Sequence, residues 1–588
     1  MAPHDPASYS DFAQGRIRHI DFQIRADFSA QVLNIAAVYQ MDRPITSPLD
    51  LDSVKINLRR AHADGRDIKW DFSPADEHLG ARLRLNGLDG ATQFTLEFST
   101  SPEAAALQWL APAQTAGGRH PFLYTQCQDI NARSVFPCQD SPSIRFTYSA
   151  EVTAPEGLVA VMAAEPLPAG SGSGQFFFTM PQPIPSYLFG LAVGELVFQE
   201  IGPRSGIYAE PKVLDSAVWE FAGNEQVILE TEKLLGPYLW GRYDLLILPP
   251  SFPFGGMENP RLTFITPTAI LGTRGQANLI THELAHAWTG NLVTNATWQD
   301  FWLNEGWTTY AENRISEILE GVEANQLHLV YEERNLLEAM ERVGMDSPQT
   351  CLKVYGDGRD ANPAAFSVPY YKGYFFLHEC ELAVGRETFD AFVKKYMAAF
   401  QFQSITTETF LDFFKTELPE VFAKVDVNAW VYTPGLPANR TRPHSALFDA
   451  VTESLRAYST GTRPTLAQAQ GWHRDQILTF LGGLPNKISV EDCKYFEATF
   501  ELEKRNDGAF FAAFYALCIA SGYTEILPRV REFMSHIGRM LYLAPVVRAL
   551  IETDWSRGQV RALVDEVRAI HHPLTVANME RLLKMAGL

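Results

Sequence analysis

The feature that most constrains the fold of this chain is a pair of histidines spaced one helical turn apart. Residues 282–286 read His-Glu-Leu-Ala-His, and in a helix His282 and His286 lie on the same face. Two imidazoles in this arrangement can bind one metal ion at about 2.0–2.1 Å. Glu283 lies between them in sequence and can take a proton from a water molecule beside the metal. The pattern therefore predicts a helix that carries two metal ligands and a general base.

A third ligand is needed, because a catalytic zinc ion is usually held by three protein side chains and keeps one open position. Glu305 follows His286 after 18 intervening residues. Gly290 and Asn291 lie between them and favour the end of a helix. We therefore expect a helix, a chain reversal and a second helix that returns Glu305 to the metal. The prediction is one zinc ion per chain, held by His282, His286 and Glu305.

A second carboxylate on the same predicted helix has two interpretations. Glu312 lies seven residues after Glu305, on nearly the same helix face. It either orients a ligand histidine through a hydrogen bond or is an ordinary surface carboxylate. The sequence alone leaves both interpretations open.

The rest of the chain divides by pattern into three domains and a linker. Residues 1–200 contain runs of alternating apolar and polar residues, which predict an N-terminal antiparallel β domain. Residues 201–432 mix helical and strand-like spacing around the metal ligands, which predicts an α+β domain. Residues 433–444 hold three prolines and one glycine and are expected to form a linker. Residues 445–588 show helical spacing throughout, which predicts an all-α C-terminal domain.

Composition excludes several classes of function. The formal net charge of −20 argues against nucleic acid or an anionic membrane as the main partner. There is no apolar run of about 18 residues, so we expect no membrane-spanning helix. The first residues show no basic start followed by an apolar stretch, and the six cysteines form no CxxC pair. We therefore expect a cytoplasmic enzyme.

Motifs around the histidine pair resemble those of a known family. Residues 255–259 read Gly-Gly-Met-Glu-Asn, and with the zinc-ligand spacing they resemble the GxMEN and HExxH motifs of the M1 family of gluzincin metallo-aminopeptidases. Stretches that resemble its leukotriene A4 hydrolase subgroup are Gln126-Cys127-Gln128, Pro137-Cys138-Gln139-Asp140, residues 250–260, WTGNLVTN, FWLNEG and SVPYYKG. The resemblance covers nearly the whole chain and implies a thermolysin-like α+β zinc peptidase domain. It also implies a zinc-dependent aminopeptidase that removes residues from short peptides with a free N-terminus.

The resemblance assigns roles that the chemistry of the residues supports. A peptide's amino end is cationic, so Glu258 at the closed end of a cleft would pair with it, and Gln128 would add a second acceptor. A glycine pair lets substrate backbone approach closely, although it can also form a mere tight turn. The substrate-binding residues that we expect are Gln126, Gln128, Gly255, Gly256, Met257, Glu258 and Arg539.

Tyr370 resembles the family tyrosine that stabilises the tetrahedral intermediate. A phenol suits this role because it is neutral at pH 7 and its hydrogen bond strengthens as the carbonyl oxygen becomes an oxyanion. Tyr371 is the competing candidate in sequence. Arg539 resembles a residue that binds the carboxylate of a short peptide; the alternative is a salt bridge on a helix surface.

Two stretches depart from the leukotriene A4 hydrolase pattern. The position of an aspartate of the subgroup is occupied here by Pro363 or Ala364. The position of its second tyrosine is occupied by Phe366. The resemblance ties this aspartate and tyrosine to the opening of a fatty-acid epoxide, and it places the aspartate in the pocket for an N-terminal arginine. Their replacement argues against the epoxide reaction. It also argues against a preference for N-terminal arginine, unless Asp129 supplies a substitute charge in that pocket. Leu541 replaces the lysine of an Arg-x-Lys pattern, which predicts a weaker preference for tripeptides.

Three alternatives to a simple aminopeptidase follow from these observations. The first is a bifunctional epoxide hydrolase and aminopeptidase, which the two replacements disfavour. The second is an inactive peptide-binding scaffold, which would be expected to have lost the base or a metal ligand, and neither is lost here. The third is an endopeptidase, which the Gly-Gly-Met-Glu-Asn stretch disfavours.

Overall fold

A computed structural model describes residues 4–168, 174–274, 277–359 and 363–588 of the chain. It contains a β region, a mixed region and a helical region, in that order. None of the helices in the described ranges combines the length and apolar character that crossing a bilayer would require. Residues 360–362, in the stretch that departs from the subgroup pattern, lie outside the described part of the chain.

The β region contains an eight-stranded, a four-stranded and a three-stranded sheet. Alternate residues of the first strand, such as Ile20, Phe22 and Ile24, are buried, as expected for a strand with one face on a core. The described strands of the largest sheet pair antiparallel, with one exception. Strands β1 (Ile17–Asp27) and β11 (Arg145–Thr153) run parallel to each other. The strands are β1 (Ile17–Asp27), β2 (Val32–Met41), β3 (Leu49–Ser53), β4 (Asn57–Ala63), β5 (Arg66–Asp67), β6 (Lys69–Phe72), β7 (Ala81–Asn86), β8 (Gln93–Ser99), β9 (Leu107–Leu110), β10 (Phe122–Thr125), β11 (Arg145–Thr153), β12 (Val159–Met162), β13 (Glu165–Leu167), β14 (Gln175–Pro185) and β15 (Leu191–Gly194).

The mixed region places a short strand at the edge of a five-stranded sheet. The sheet order is β16-β17-β18-β20-β19, so β19 (Gly256–Met257) pairs with β20 on one side only among the described strands. The other elements are β16 (Val197–Glu200), β17 (Gly206–Ala209), α1 (Leu214–Glu220), α2 (Asn224–Leu235), β18 (Asp244–Ile247), β20 (Leu262–Ile265), α3 (Ala277–Ala285), β21 (Val293–Asn295), α4 (Trp302–Glu320), α5 (Val322–Val343), α6 (Val368–Val384), α7 (Arg386–Ala399), β22 (Gln403–Ile405), α8 (Thr407–Glu417), α9 (Pro419–Lys424) and α10 (Val427–Val431).

The helical region has a hydrophobic core of its own. One continuous cluster of buried residues joins the β and mixed regions, and a second cluster lies entirely within the helices that follow. Those helices are α11 (Ala446–Ser459), α12 (Leu466–Gln470), α13 (Arg474–Gly483), α14 (Val490–Thr499), α15 (Gly508–Ala520), α16 (Leu527–His536), α17 (Met540–Glu552), α18 (Asp554–Arg557), α19 (Val560–Val567) and α20 (Pro573–Met585). The helical region meets the mixed region at α5, which contacts both α11 and α13.

Two glycines allow helices α4 and α6 to cross with their backbones in contact. A Cβ atom added to Gly306 would lie 2.8 Å from the Cα atom of Gly373, and one added to Gly373 would lie 2.6 Å from the Cα atom of Gly306. Any larger residue would therefore push the helices apart. Glu305 lies next to this crossing on α4 and Tyr370 lies near it on α6, so the crossing sets the distance between the two elements.

Replacing Gly306 with alanine should destabilise the protein by about 2 kcal/mol, because the added methyl group overpacks the helix crossing. Chemical denaturation measures the shift, and activity should fall with it because α4 and α6 separate. Gly558→Ala is the matched control, since a Cβ atom there meets no atom within 4 Å. Equal midpoints for the two variants would contradict the tight crossing.

Candidate active site

Three donor atoms converge where helices α3 and α4 lie side by side. The Nε2 atoms of His282 and His286 are 3.2 Å apart, and Glu305 Oε2 lies 3.4 Å from each of them. A zinc ion with ideal tetrahedral bonds would separate its donors by about 3.3 Å. The three side chains that the sequence singled out are thus brought together at spacings that suit one zinc ion.

The surroundings of these donors favour a cation. Burial alone would lower the pKa of His282, but the carboxylates of Glu305 and Glu312 raise it well above its usual value. Glu305 Oε2 is buried without a hydrogen-bond partner among the described residues. A carboxylate oxygen left in this state is costly unless a positive charge faces it. The donor set therefore fits a divalent metal ion.

Each histidine predicted to bind the metal is held by a bond at its other ring nitrogen. His282 Nδ1 lies 2.9 Å from Glu312 Oε2, which favours the orienting interpretation of Glu312 over the surface one. His286 Nδ1 lies 2.9 Å from the carbonyl oxygen of Thr289 and 3.1 Å from Thr308 Oγ1. When Nδ1 carries the proton, Nε2 presents its lone pair to the metal position.

Sequence reasoning did not identify the two threonines near His286. Thr308 follows Glu305 by three residues on α4, so it lies on the ligand's helix face, and this spacing could have indicated it. The carbonyl of Thr289 belongs to the turn after α3 and gives no signal in side-chain patterns. The glycine in this turn, Gly290, has a φ of 121°, and a Cβ atom there would lie 2.8 Å from His286 Nδ1.

The predicted base lies against the edge strand β19. Glu283 is buried, and a Cβ atom on Gly256 would lie only 2.3 Å from Glu283 Oε1. Glycine at this position is therefore required for the carboxylate to reach the strand. Burial raises the pKa of Glu283 to about 7, although the two histidines lower it. A carboxyl group with such a pKa can both accept and return a proton near neutral pH.

The carboxylate of Glu258 is buried and lacks a partner. Its Oε1 atom makes no hydrogen bond within the described residues, while its backbone oxygen accepts a bond from Asn291. Oxygens of Glu258 and Glu283 and a ring nitrogen of His286 lie within 4.8 Å of one another. Burial and the nearby Glu305 raise the pKa of Glu258, although His286 lowers it. This orphaned acceptor beside the metal ligands is suited to a cationic group of a substrate.

The loop after β10 contributes the other side of the cleft. Gln126 donates a hydrogen bond from Nε2 to the sulfur of Met257 at 3.1 Å, and its Oε1 atom is buried without a partner in the described chain. Gln128 is half-buried in the same loop, and no hydrogen bond joins it to Glu258 within the described chain. The surrounding protein and the charges of Glu258 and Glu305 raise the pKa of Asp129 to about 6, although this residue keeps an accessible surface.

Of the two candidate tyrosines, Tyr370 is the one beside the metal ligands. Its ring stacks on that of His282 with centroids 5.8 Å apart. Burial, followed by the charges of Glu305 and Glu258, raises the pKa of Tyr370 well above its usual value, so it remains a hydrogen-bond donor. Burial, followed by the charges of Glu332 and Glu312, raises the pKa of Tyr371 well above its usual value.

Arg539 extends from the helical region to the same cleft. Its guanidinium group donates to the hydroxyl of Tyr542 at 2.8 Å, and a Cβ atom on Gly255 would lie 2.9 Å from Nη2. The backbone N–H of Met540 donates to the carbonyl of Pro253, which ties the start of α17 to the loop before β19. The position beside Gly255 fits a group that faces the cleft. Leu541, which replaces the expected lysine, is exposed.

The chain is similar to known proteins over nearly its whole length. Three family profiles match: the peptidase M1 N-terminal domain at residues 18–188, the peptidase family M1 domain at 219–430 and the leukotriene A4 hydrolase C-terminal domain at 472–583. The chain is 35% identical to leukotriene A-4 hydrolase of Xenopus laevis, covering 97% of this chain and 98% of that protein. It is 33% identical to leucine aminopeptidase 2 of Aspergillus niger, covering 98% of each.

Solved structures are also similar to this chain. Native leukotriene A4 hydrolase from Saccharomyces cerevisiae superposes with a TM-score of 0.89 at 28% identity, covering 100% of this chain and 98% of that chain. An M1 zinc metallopeptidase from Deinococcus radiodurans superposes with a TM-score of 0.57 at 21% identity, covering 74% and 96%. The second similarity concerns the fold alone.

Proposed function

The chain belongs to peptidase family M1, in the three-domain form of leukotriene A4 hydrolase, and on this premise we propose that it is a zinc-dependent aminopeptidase acting on short peptides. The observation that carries the proposal is the buried, unpartnered carboxylate of Glu258 next to the three converging donors. A free peptide amine supplies the positive charge that this carboxylate lacks. The surroundings of an internal peptide bond supply no such positive charge. Cleavage after the first residue is therefore favoured.

The names of similar proteins support this activity. Several relatives that are 32–34% identical over nearly their full length are called leucine aminopeptidase 2. A structure of yeast leukotriene A4 hydrolase, 28% identical to this chain, is in complex with bestatin. For this chain we propose peptides with a free N-terminus as substrates, and neither nucleic acid nor a membrane as a partner.

We assign the metal to His282, His286 and Glu305, with one zinc ion per chain. When bound, zinc supplies a Lewis acid that lowers the pKa of a water molecule and polarises a carbonyl group. Glu312 and the Thr289 carbonyl would fix the two imidazoles in the orientation that binding needs.

The remaining residues bind the peptide and move the proton. The substrate ammonium docks on Glu258 and Gln128, while the peptide extends along the free edge of β19 as an added strand. Glu283 takes a proton from the attacking water and returns it to the departing amine. Gln126 and Met257 line the position of the first side chain, and Arg539 faces the peptide's carboxylate.

Tyr370 donates its hydroxyl hydrogen to the carbonyl oxygen as negative charge develops there. Replacing Tyr370 with phenylalanine should lower kcat by about 100-fold with little change in KM, because the bond strengthens only in the transition state. Steady-state kinetics on a dipeptide amide measure both constants. Tyr371→Phe is the control, and a larger loss in that variant would assign the donor to Tyr371.

The residues before helix α6 disfavour the epoxide reaction, although similar proteins are named leukotriene A4 hydrolase. Phe366 is exposed and its ring lies 5.2 Å from that of Tyr370, where it offers an apolar face and no hydroxyl group. The carboxylate that the subgroup places in this stretch has no counterpart at Pro363 or at Ala364.

A panel of aminoacyl fluorogenic amides tests the proposed function. We expect rapid hydrolysis of substrates with a free amine, much slower hydrolysis of the N-acetylated forms, and loss of activity with a zinc chelator that added zinc restores. Cleavage of acetylated substrates at equal rates would contradict the role of Glu258 and favour an endopeptidase.

A further inference from the structure

The bond that holds His282 leads into a second buried cluster of charged side chains. Glu312 uses Oε2 for His282, and its Oε1 atom lies 3.9 Å from His328 Nε2 on helix α5. The same His328 nitrogen lies 3.1 Å from Glu332 Oε1. Glu312 and Glu332 are buried, and His328 keeps 20% of its side-chain surface. The metal ligand is therefore connected to a histidine that the proposed chemistry does not use.

The other face of this histidine meets the helical region. His328 Nδ1 lies 3.6 Å from Asp475 Oδ2, in the first turn of α13. Arg474 pairs with Asp475 at 3.1 Å and with Asp507 at 2.7 Å, which fixes the start of α13 within its own region. His328 is thus one point at which a charged side chain of the helical region meets the mixed region.

We propose that His328 is a positioning residue: it links Asp475 of the helical region to Glu312 and so fixes the orientation of the metal ligand His282 when the helical region is docked. The inference rests on the proposed metal site, to which it adds a role for the helical region beyond contributing Arg539 to the cleft. The chain of contacts runs from Asp475 to His328, Glu312 and His282.

The charges in this cluster match such a role. Burial alone would lower the pKa of His328, but Glu332 and Asp475 raise it well above its usual value, so it carries a positive charge between three carboxylates. When a cation contacts one oxygen of a carboxylate, the other oxygen has fewer orientations available. Without His328, Glu312 would rotate more freely and hold the imidazole of His282 less firmly.

The test measures zinc release from the intact holoenzyme. His328→Gln should increase the rate of zinc loss to a chelator by about 10-fold, the lower end of the range for groups that orient a metal ligand. The absorption spectrum of the cobalt-substituted protein should change as well, because the ligand field at the metal alters. Asp475→Asn, on the far side of the contact, should produce the same changes more weakly, and the double variant should match His328→Gln.

Glu333→Gln is the matched control. Glu333 is the residue after Glu332 on α5 and pairs with Arg440 at 2.6 Å, with both side chains largely buried. Its loss removes an ion pair of similar burial without touching Glu312, so zinc release should match the wild type.

The outcomes separate the two proposals. If the wild type holds one zinc ion and His328→Gln releases it at the wild-type rate, the link is overturned while the metal site stands, even if stability falls. If the wild type holds no zinc after reconstitution, the proposed function fails. Two zinc ions per chain would also overturn the link, because Glu312, His328 and Glu332 are close enough to bind a metal themselves.

Discussion

Replacing Glu283 with glutamine should reduce kcat by about 10³–10⁴-fold, because the amide can neither accept the proton of the attacking water nor return it to the leaving amine. The substitution preserves the size of the side chain, so the close contact with Gly256 is kept. KM should change little, since Glu283 is not needed to bind the ammonium. Pre-steady-state kinetics on an aminoacyl amide would measure the loss.

Zinc content provides the control for this variant. The amide should leave the metal bound, because the proposed ligands are His282, His286 and Glu305. An inactive variant that has also lost its zinc would show damage to the metal site and give no information on the base. Turnover within a factor of about three of the wild type would contradict the assignment of Glu283 as the base.

Replacing Glu258 with glutamine should lower kcat/KM by about 10²–10³-fold for substrates with a free amine, because breaking a buried ion pair costs about 3–5 kcal/mol. Most of the loss should appear in KM, since the ammonium contact forms on binding. The discrimination against N-acetylated substrates should shrink at the same time. The measurement is the ratio of kcat/KM for free and acetylated substrates in the variant and the wild type.

Glu210 offers a matched control for the loss of a buried carboxylate. It is 3% exposed and accepts hydrogen bonds from the backbone N–H groups of Ala116 and Gly117. Glu210→Gln should leave the ratio of free to acetylated substrate unchanged, whatever it does to stability. A Glu258 variant that still rejected acetylated substrates as strongly as the wild type would assign amine recognition to another group.

The sequence predicted the family, the three-part fold and the hydrolase class, and the comparisons and the structure confirm them. The fold class was predictable because alternating strands and helical spacing are visible within a few residues, and the family and hydrolase class were predictable because short motifs along the chain resemble those of the family. The individual roles of the site residues stay predictions. The structure brings His282, His286 and Glu305 together, but chemistry has to test each role.

Features that depend on contacts between distant segments could not be predicted. The parallel pairing of β1 with β11 joins strands more than 100 residues apart, and no local pattern specifies its direction. The contact of Gly306 with Gly373 needs two helices whose crossing point the sequence does not reveal. His328 reads in sequence as one polar residue on a helix, and only the fold places it between Glu312 and Asp475.

The two separate hydrophobic cores have a consequence for how this molecule behaves when heated. The proposed metal ligands lie wholly in the unit built on the first core, and the helices built on the second core form another cooperative unit. Moderate heat that melts the second unit first would leave a partly open molecule whose metal is still bound, though less firmly. Such a molecule would lack Arg539 at the cleft, so its binding of short peptides would weaken before its chemistry is lost.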